Sequence, residues 1–376
     1  MKTRQLIMLA GLFLILGCKK APEQLPVVDP LAFGGELDGK KVELFTLKNE
    51  QGMVVQITNF GGRVVDLWVP DREGRFTDVV LGYSTLDGYL NSNEIYYGTL
   101  VGRYGNRIGN ARFTLNDSVF TLAANDGINH LHGGVKGYNN VVWDAVQSDE
   151  KTVLLSYLSP DGEEGYPGNL QVNVTYELTP DNELKIEYRA TTDKPTPVNL
   201  THHSYFNLKG AGEGDINDHV LYINAPFYTP VDGGLIPTGE IAPVDGTPFD
   251  FRTPMAIGAR VNDDNEQLKY GQGYDHNWVL TTPSGPGLTL AARVVEPSTG
   301  RTMEVFTNEP AIQFYGGNFL NGKDTGKNGK VYNHRGALCL ETQHFPDSPN
   351  HLEFPSVILE PGQEYYSICI YKFGVE

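Results

Sequence analysis

The chain has 376 residues, of which 40% are hydrophobic and 11% aromatic, so it can bury a large core. Its net charge of −17 at pH 7 argues against nucleic acid or an anionic membrane surface as a partner, because phosphate groups select clusters of Lys and Arg. A small neutral ligand remains compatible with this charge.

The N-terminus has the pattern of an export signal. Lys2 and Arg4 precede an apolar run over residues 6–16, and Gly17 and Cys18 follow it. This run is too short to span a bilayer, which needs about 17 to 25 residues. Its ending, ILGC, resembles a bacterial lipoprotein signal, which predicts cleavage before Cys18 and a lipid on that cysteine. A plain secretory signal with an incidental cysteine is the alternative.

We therefore expect residues 1–17 to be a lipoprotein signal peptide and residues 18–30, which are polar and Pro-rich, to be a tether. The expected location is outside the inner membrane, lipid-anchored through Cys18, with the outer membrane facing the periplasm as the preferred address.

Residues 31–376 keep the same pattern of short runs throughout, which predicts a single domain. Short β-branched and aromatic runs are separated by clusters of Gly, Pro, Asn and Asp, and many of them alternate strictly between apolar and polar residues. No stretch keeps helical spacing for three turns. The pattern predicts an all-β fold, a large antiparallel β-sandwich with few short helices. Cys339 and Cys369 lie in apolar runs, where buried free thiols are commoner than a disulfide.

Two segments of the first half place polar residues among strand-like ones. GRYGNRIGNARF (102–113) has glycines that do not fit a dinucleotide-binding pattern, but an arginine here could bind two oxygens of a ligand at once. NHLHGG (129–134) places His130 and His132 two apart, a spacing that suits one strand face. Surface arginines in a turn and structural histidines are the alternatives.

Two adjacent histidines stand in THHSYFNL, residues 201–208. In a strand, His203 shares a face with Thr201 and Tyr205, while His202 points to the opposite face. Any chemistry of the pair should therefore belong to one histidine.

A carboxylate stands in the middle of CLETQ (339–343). Glu341 shares a face with Cys339 and Gln343 and has apolar neighbours in sequence. Such a group should be paired, hydrogen-bonded or shifted in pKa, and a structural ion pair is the alternative. A metal site also remains open, with possible ligands in His130, His132, His202, His203, Glu341 and His344.

Together these segments resemble the aldose 1-epimerase, or galactose mutarotase, family. The family's blocks occur in order as GRYGNRI, NHLHGG, THHSYFNL, GYDHNW, IQFYGGNFL and GALCLETQHFPDSPN. The resemblance implies a galactose mutarotase-like supersandwich with a sugar cleft across one sheet. It also implies an enzyme that interconverts the α and β anomers of free aldohexoses such as glucose and galactose, and that needs no cofactor.

The resemblance further implies a set of site residues. Glu341 matches the catalytic base and His203 the acid, and their proximity should keep the carboxylate ionised and the imidazole charged. His202 stands where the family usually has asparagine. The residues implied to bind the sugar are Asn106, Arg107, His132, Tyr205, Asp275 and Gln313.

Three other functions compete with this one. A non-catalytic sugar-binding lipoprotein would not need both Glu341 and His203. Another carbohydrate-active enzyme on the same sandwich, such as a hydrolase, usually works with two carboxylates. A metal enzyme would need several converging ligands. The expected partners are an aldose sugar and the lipid anchor, without nucleic acid, and the expected state is a monomer or weak dimer.

Overall fold

The structure, a computed structural model, describes residues 25–281 and 287–376 of the chain. The predicted signal peptide and Cys18 lie outside these residues. Within the described ranges, no helix is long and apolar enough to cross a membrane. The two α-helices are α1 (Leu86–Leu90) and α2 (Glu266–Gly271). Short 3₁₀ turns occur at Pro30–Phe33, Gly109–Ala111, Tyr138–Asn140, Glu163–Gly165, Ile257–Ala259, Lys327–Gly329 and Ser348–Asn350.

Strands account for most of the regular structure. The first seventeen are β1 (Gly35–Leu37), β2 (Lys40–Val42), β3 (Leu44–Lys48), β4 (Val54–Thr58), β5 (Arg63–Pro70), β6 (Phe76–Asp78), β7 (Thr99–Val101), β8 (Arg107–Ile108), β9 (Arg112–Leu115), β10 (Ser118–Thr121), β11 (His130–Leu131), β12 (Asp144–Gln147), β13 (Thr152–Ser159), β14 (Leu170–Leu178), β15 (Glu183–Thr192), β16 (Thr196–Pro197) and β17 (Thr201–His203). The others are β18 (Val220–Ile223), β19 (Phe227–Thr229), β20 (Ala242–Pro243), β21 (Met255–Ala256), β22 (Asp275–Val279), β23 (Thr289–Val295), β24 (Arg301–Thr307), β25 (Ala311–Tyr315), β26 (Cys339–Gln343), β27 (Ile358–Leu359) and β28 (Tyr365–Val375).

Three large sheets build the sandwich. A nine-stranded sheet has the order β12-β13-β14-β15-β28-β24-β23-β18-β21, and it is accompanied by the sheets β20-β19-β22-β25-β26 and β3-β4-β5-β6. Their named strand pairs are antiparallel, and one large apolar cluster takes side chains from all three sheets. The predicted antiparallel sandwich with few short helices is confirmed.

Strict alternation in sequence becomes strict alternation in burial. In β14 the side chains of Val172, Val174 and Tyr176 are buried, whereas those of Gln171 and Asn173 between them are half-buried. Full burial of such an apolar side chain contributes about 1.5 to 3 kcal/mol relative to its exposure, so the pattern determines which face packs inward.

The two cysteines of the described residues are both free. Cys339 and Cys369 are buried in β26 and β28, which confirms the expectation of free thiols at these positions.

The strand that begins THHSYFNL is shorter than the segment. β17 pairs with β7 and ends at His203, and Phe206 then forms single bridges to Val80 and Leu338. The chain leaves β7 here because the backbone N–H of Phe206 donates to the carbonyl of Leu338 instead. This change of partner places His203 next to β26.

Three strands of the five-stranded sheet present one face to the core and the other to a cleft. Trp278 of β22, Phe314 of β25 and Leu340 of β26 are buried in the apolar cluster. Because side chains alternate, Asp275 and Glu341 point to the opposite face. The strand register therefore supplies polar groups to one surface without placing them in the core.

Candidate active site

Neighbouring strands place Glu341, Gln313 and Asp275 side by side. Gln313 of β25 lies directly opposite Glu341 of β26, and Asp275 lies one strand further, in β22. The Gln313 amide donates to Asp275 Oδ1 over 2.7 Å. Gln313 thus orients the Asp275 carboxylate, while Asp275 and Glu341 themselves line the cleft.

His203 faces Glu341 across this cleft. Its Nε2 lies 3.6 Å from Glu341 Oε1, which is too far for a hydrogen bond between the two groups but close enough for both to contact one small molecule. His203 Nδ1 and Glu341 Oε2 are buried and have no hydrogen-bond partner among the described residues. Buried polar atoms are usually paired, so two unpaired atoms on facing side chains indicate a functional site rather than a structural ion pair.

A short two-stranded ladder, β8 with β11, supplies the next wall. Asn106 and His132 stand at its ends with φ values of 63° and 50°, in the left-handed region. The backbone N–H of Asn106 donates to His132 Nδ1 over 3.1 Å. His132 Nδ1 is therefore an acceptor, and the ring carries its proton on Nε2, where it can be donated into the cleft.

Arg107 is held between two carboxylates. Its Nε lies 2.8 Å from Asp126 Oδ2, and its Nη1 lies 4.0 Å from Asp275 Oδ2. The Asp126 contact fixes the plane of the guanidinium, which leaves its other donors directed at the cleft. Arg107 is a preorganised donor rather than a surface arginine.

Aromatic rings surround the imidazole of His203. The Tyr205 ring stacks on it at a centroid distance of 4.9 Å, and the Tyr96 ring stacks at 5.8 Å. The edge of His132 meets the same imidazole at 5.2 Å. These contacts hold the ring in one orientation and exclude water from it. Leu131, Tyr315 and Phe319 complete the apolar part of the cleft.

Burial shifts the pKa values of the facing pair in opposite directions. It lowers the pKa of His203 to about 3 and raises the pKa of Glu341 well above its usual range, with a further rise from the nearby Asp275. This loss of solvation acts against the expectation that proximity keeps both groups charged. Burial therefore favours the neutral form of each group.

His202 lies on the opposite side of the strand. Its Nδ1 is 3.3 Å from the Tyr176 hydroxyl and its Nε2 is 2.7 Å from Ser204 Oγ. The Tyr176 hydroxyl itself donates to the carbonyl of Gly62, so it accepts from His202 Nδ1. Both ring nitrogens are used in the interior, and His202 does not line the cleft.

Three of the possible metal ligands converge. His132, His203 and Glu341 offer side-chain atoms that all lie within 4.8 Å of one another, so these three could hold a metal ion. The other histidines have separate partners. His130 contacts the Ala123 carbonyl and the Tyr166 hydroxyl, and His344 pairs with Glu309.

The cleft collects nearly all the residues implied by the resemblance. Those that line it are Asn106, Arg107, His132, His203, Tyr205, Asp275 and Glu341, while Gln313 lies behind Asp275. Sequence reasoning missed Glu94 and Tyr96, which also line the cleft. Their segment, NSNEIYYG, belongs to none of the quoted blocks, and a carboxylate two residues before a pair of tyrosines was the one available signal.

Comparison with known proteins agrees with this geometry. The family model described as aldose 1-epimerase matches residues 43–372. The chain belongs to the aldose 1-epimerase family. It is 46% identical over 343 residues to galactose mutarotase of Rattus norvegicus, covering 91% of this chain and 97% of the relative. It is 40% identical over 341 residues to aldose 1-epimerase of Escherichia coli K12, covering 90% and 97%.

Solved structures show the same fold in aldose 1-epimerase relatives. A C. elegans aldose epimerase homologue superposes with a TM-score of 0.82 at 31% identity, covering 89% of this chain and 99% of the other. Galactose 1-epimerase from Lactobacillus acidophilus superposes with a TM-score of 0.79 at 30% identity, covering 91% and 97%. This chain is therefore an aldose 1-epimerase, an enzyme that interconverts the anomers of an aldose.

Proposed function

We propose that Glu341 and His203 carry out the proton transfers of this epimerase on free aldohexoses, including glucose and galactose. The observation that supports this most directly is the pair itself, with His203 Nε2 and Glu341 Oε1 3.6 Å apart and one unpartnered atom on each side chain. A pyranose places its C1 hydroxyl and its ring oxygen on the same carbon, so both can meet such a pair at once.

The reaction begins with ring opening. Glu341 takes the proton of the C1 hydroxyl, the C1–O5 bond breaks with its electrons moving to O5, and His203 protonates O5 to give the open-chain aldehyde. After rotation about C1–C2, His203 removes the O5 proton while O5 attacks the other face of C1. Glu341 then returns its proton to the former carbonyl oxygen. The net result is the other anomer, with both residues in their initial states.

The chemistry starts from the ionised form of the pair. Moving the single proton from Glu341 to His203 changes no net charge, and Arg107 lowers the pKa of Glu341 against the effect of burial. Sugar hydroxyls that enter the cleft add donors and acceptors around both groups. They replace the lost solvation with fixed polar contacts, which favours the ionised form.

The remaining residues of the cleft orient the sugar. His132 donates from Nε2, and Arg107 offers its free guanidinium donors, to the ring oxygen and neighbouring hydroxyls. Asp275, oriented by Gln313, accepts from hydroxyls. Among the described residues that line the cleft, Arg107 is the one cation, and Asp126 and Asp275 already lie beside it. An unphosphorylated sugar suits this balance better than a sugar phosphate.

Polarimetry on fresh α-glucose and α-galactose tests the assignment. Glu341→Gln keeps the size of the side chain and removes its basicity, so it reports on proton transfer rather than on packing. General acid–base groups contribute about 10²- to 10⁴-fold, and we expect losses of this order in kcat for Glu341→Gln and for His203→Asn. Activity of either variant near the wild-type level contradicts the assignment. If a chelator stops the wild-type reaction, a metal at His132, His203 and Glu341 is the correct alternative.

We also propose that the mature enzyme is exported and anchored by a lipid on Cys18, with the outer membrane facing the periplasm as its location. The support is the charged start, the apolar run over residues 6–16 and the ILGC ending. The proposed assembly state is a monomer or weak dimer.

A further inference from the structure

The segment 93–97 forms a wall of the cleft that the catalytic assignment leaves without a function. It carries Glu94, whose half-buried side chain lines the cleft together with Glu341 and His203. It also carries Tyr96, whose ring contacts both His132 and His203. One short stretch therefore presents a carboxylate and an aromatic ring to the place where the sugar must lie.

A buried carboxylate from a distant part of the chain holds this segment in place. Asp324 accepts from the backbone N–H of Asn93 over 3.0 Å, from the Asn93 amide over 2.8 Å and from the backbone N–H of Glu94 over 3.1 Å. The Tyr97 hydroxyl donates to the same carboxylate over 3.3 Å. Charge-assisted hydrogen bonds of this kind are about twice as strong as neutral ones.

A buried arginine holds the other side of the segment. Arg63 donates to the carbonyl of Ile95 over 3.0 Å and to the carbonyl of Tyr97 over 3.0 Å. The backbone on both sides of Glu94 is thus hydrogen-bonded to the buried side chains of Asp324 and Arg63. A clamp of this kind is more than a surface turn needs, and it preorganises whatever the segment presents.

The Glu94 carboxylate uses only part of its acceptor capacity within the protein. Its Oε1 accepts from the backbone N–H of Tyr96 over 2.9 Å, which fixes the rotation of the side chain. An ionised carboxylate accepts about four hydrogen bonds, so capacity remains for a donor in the cleft. Burial raises the pKa of Glu94, while the hydrogen bonds from the Tyr96 backbone and the Tyr205 hydroxyl lower it.

We propose that Glu94 is a further sugar-binding residue, which accepts a hydrogen bond from one hydroxyl of the aldose other than the reacting hydroxyl at C1. The inference rests on the proposed catalytic pair, because that pair locates C1 and leaves Glu94 facing the rest of the ring. Glu94 takes no part in proton transfer. Its contribution is to affinity and to the choice among aldoses that differ at one hydroxyl.

Deoxy sugars identify the contact. Wild type, Glu94→Ala and Glu94→Gln are compared by polarimetry on glucose and on its 2-, 3-, 4- and 6-deoxy analogues, all of which keep C1 and the ring oxygen. Loss of a hydrogen bond to a charged group weakens binding about 10- to 100-fold, so KM for glucose should rise by this factor in Glu94→Ala and by less in Glu94→Gln. The kcat should stay within about twofold.

The decisive result concerns one analogue. For the sugar that lacks the contacted hydroxyl, wild type and Glu94→Ala should have the same KM, whereas the other analogues keep the difference. An unchanged KM for glucose, or an equal rise for all four analogues, overturns the proposal. Glu94→Gln keeps an acceptor for the Tyr96 N–H and so serves if Glu94→Ala is poorly folded.

Two controls separate this test from the catalytic assignment. Asp87→Asn changes an exposed carboxylate in α1, just before the segment, and should leave KM unaltered. Loss of activity in Glu341→Gln with no effect of Glu94→Ala would contradict only the role of Glu94. Full activity in Glu341→Gln would contradict the catalytic assignment itself.

Discussion

Replacing His202 by asparagine should lower stability and spare catalysis. The imidazole lies between the Tyr176 hydroxyl, at 3.3 Å, and Ser204 Oγ, at 2.7 Å, on the core side of β17. Its ring also packs near Tyr371, at a centroid distance of 6.1 Å. None of these contacts reaches the cleft, where His203 of the same strand meets Glu341.

The magnitude at neutral pH follows from those contacts. Two hydrogen bonds contribute about 1 kcal/mol each, and a void of some tens of Å³ left by the smaller side chain costs about 24 cal/mol per Å³. The free energy of unfolding of His202→Asn at pH 7.5 should therefore fall by about 2 to 3 kcal/mol. The kcat for glucose should remain within a few-fold of wild type.

Lowering the pH should remove this difference. Burial lowers the pKa of His202 to about 3 in the folded state, while an unfolded histidine keeps its ordinary value near 6.5. Below pH 6.5 the unfolded chain takes up a proton at this position that the folded chain does not. Each pH unit then costs the wild type about 1.4 kcal/mol, so the penalty reaches about 2.7 kcal/mol at pH 4.5. Asparagine has no such penalty.

Urea unfolding followed by circular dichroism at pH 7.5 and 4.5 measures both effects, with polarimetry on the same samples. His203→Asn is the matched control, since it changes the neighbouring histidine on the cleft side. A stability gap that widens as the pH falls would refute the assigned state of His202. A 100-fold loss of kcat in His202→Asn, with His203→Asn active, would reverse the roles of the two histidines.

Three further outcomes are expected. Asp275→Ala removes an acceptor of sugar hydroxyls and leaves the Gln313 amide without its partner. The loss in binding free energy should be about 1 to 3 kcal/mol, so KM should rise about tenfold. An unchanged KM and kcat would show that Asp275 does not bind the sugar. Because burial lowers the pKa of His203 to about 3, kcat/KM corrected for spontaneous mutarotation should show no inflection near pH 6.5, where an ordinary histidine titrates; an inflection there would contradict the burial of His203. Cys18→Ser should move the enzyme from the membrane to the soluble fraction, and equal solubility of both forms would contradict the lipid anchor.

Alternation in sequence was sufficient to predict the sheet faces of the site. The period of two separates His203 from His202 and Glu341 from Leu340, and the structure places each on the expected side of its strand. The antiparallel sandwich follows from the same signal, since one buried face per strand requires a second layer to cover it. Which strands meet across the cleft was available only from the family resemblance.

Two features of the site were beyond such reasoning. Glu94 reaches the cleft because Asp324, 230 residues further along the chain, holds its backbone, and no local pattern reports a contact of that range. The charge state of the His203–Glu341 pair depends on how completely both groups are removed from water. The sequence motifs bring the two residues together but do not report that loss of solvation, which opposes the expected ion pair.

The position of β28 has a consequence for the order of folding. This strand, Tyr365–Val375, lies between β15 and β24 in the middle of the nine-stranded sheet and pairs with both. The strands β12 to β15 and the strands from β18 to β24 therefore cannot join into one sheet before residues 365–375 have been synthesised. Until then the earlier strands have unpaired edges, and a truncation before Tyr365 should leave two half-sheets that aggregate instead of an enzyme.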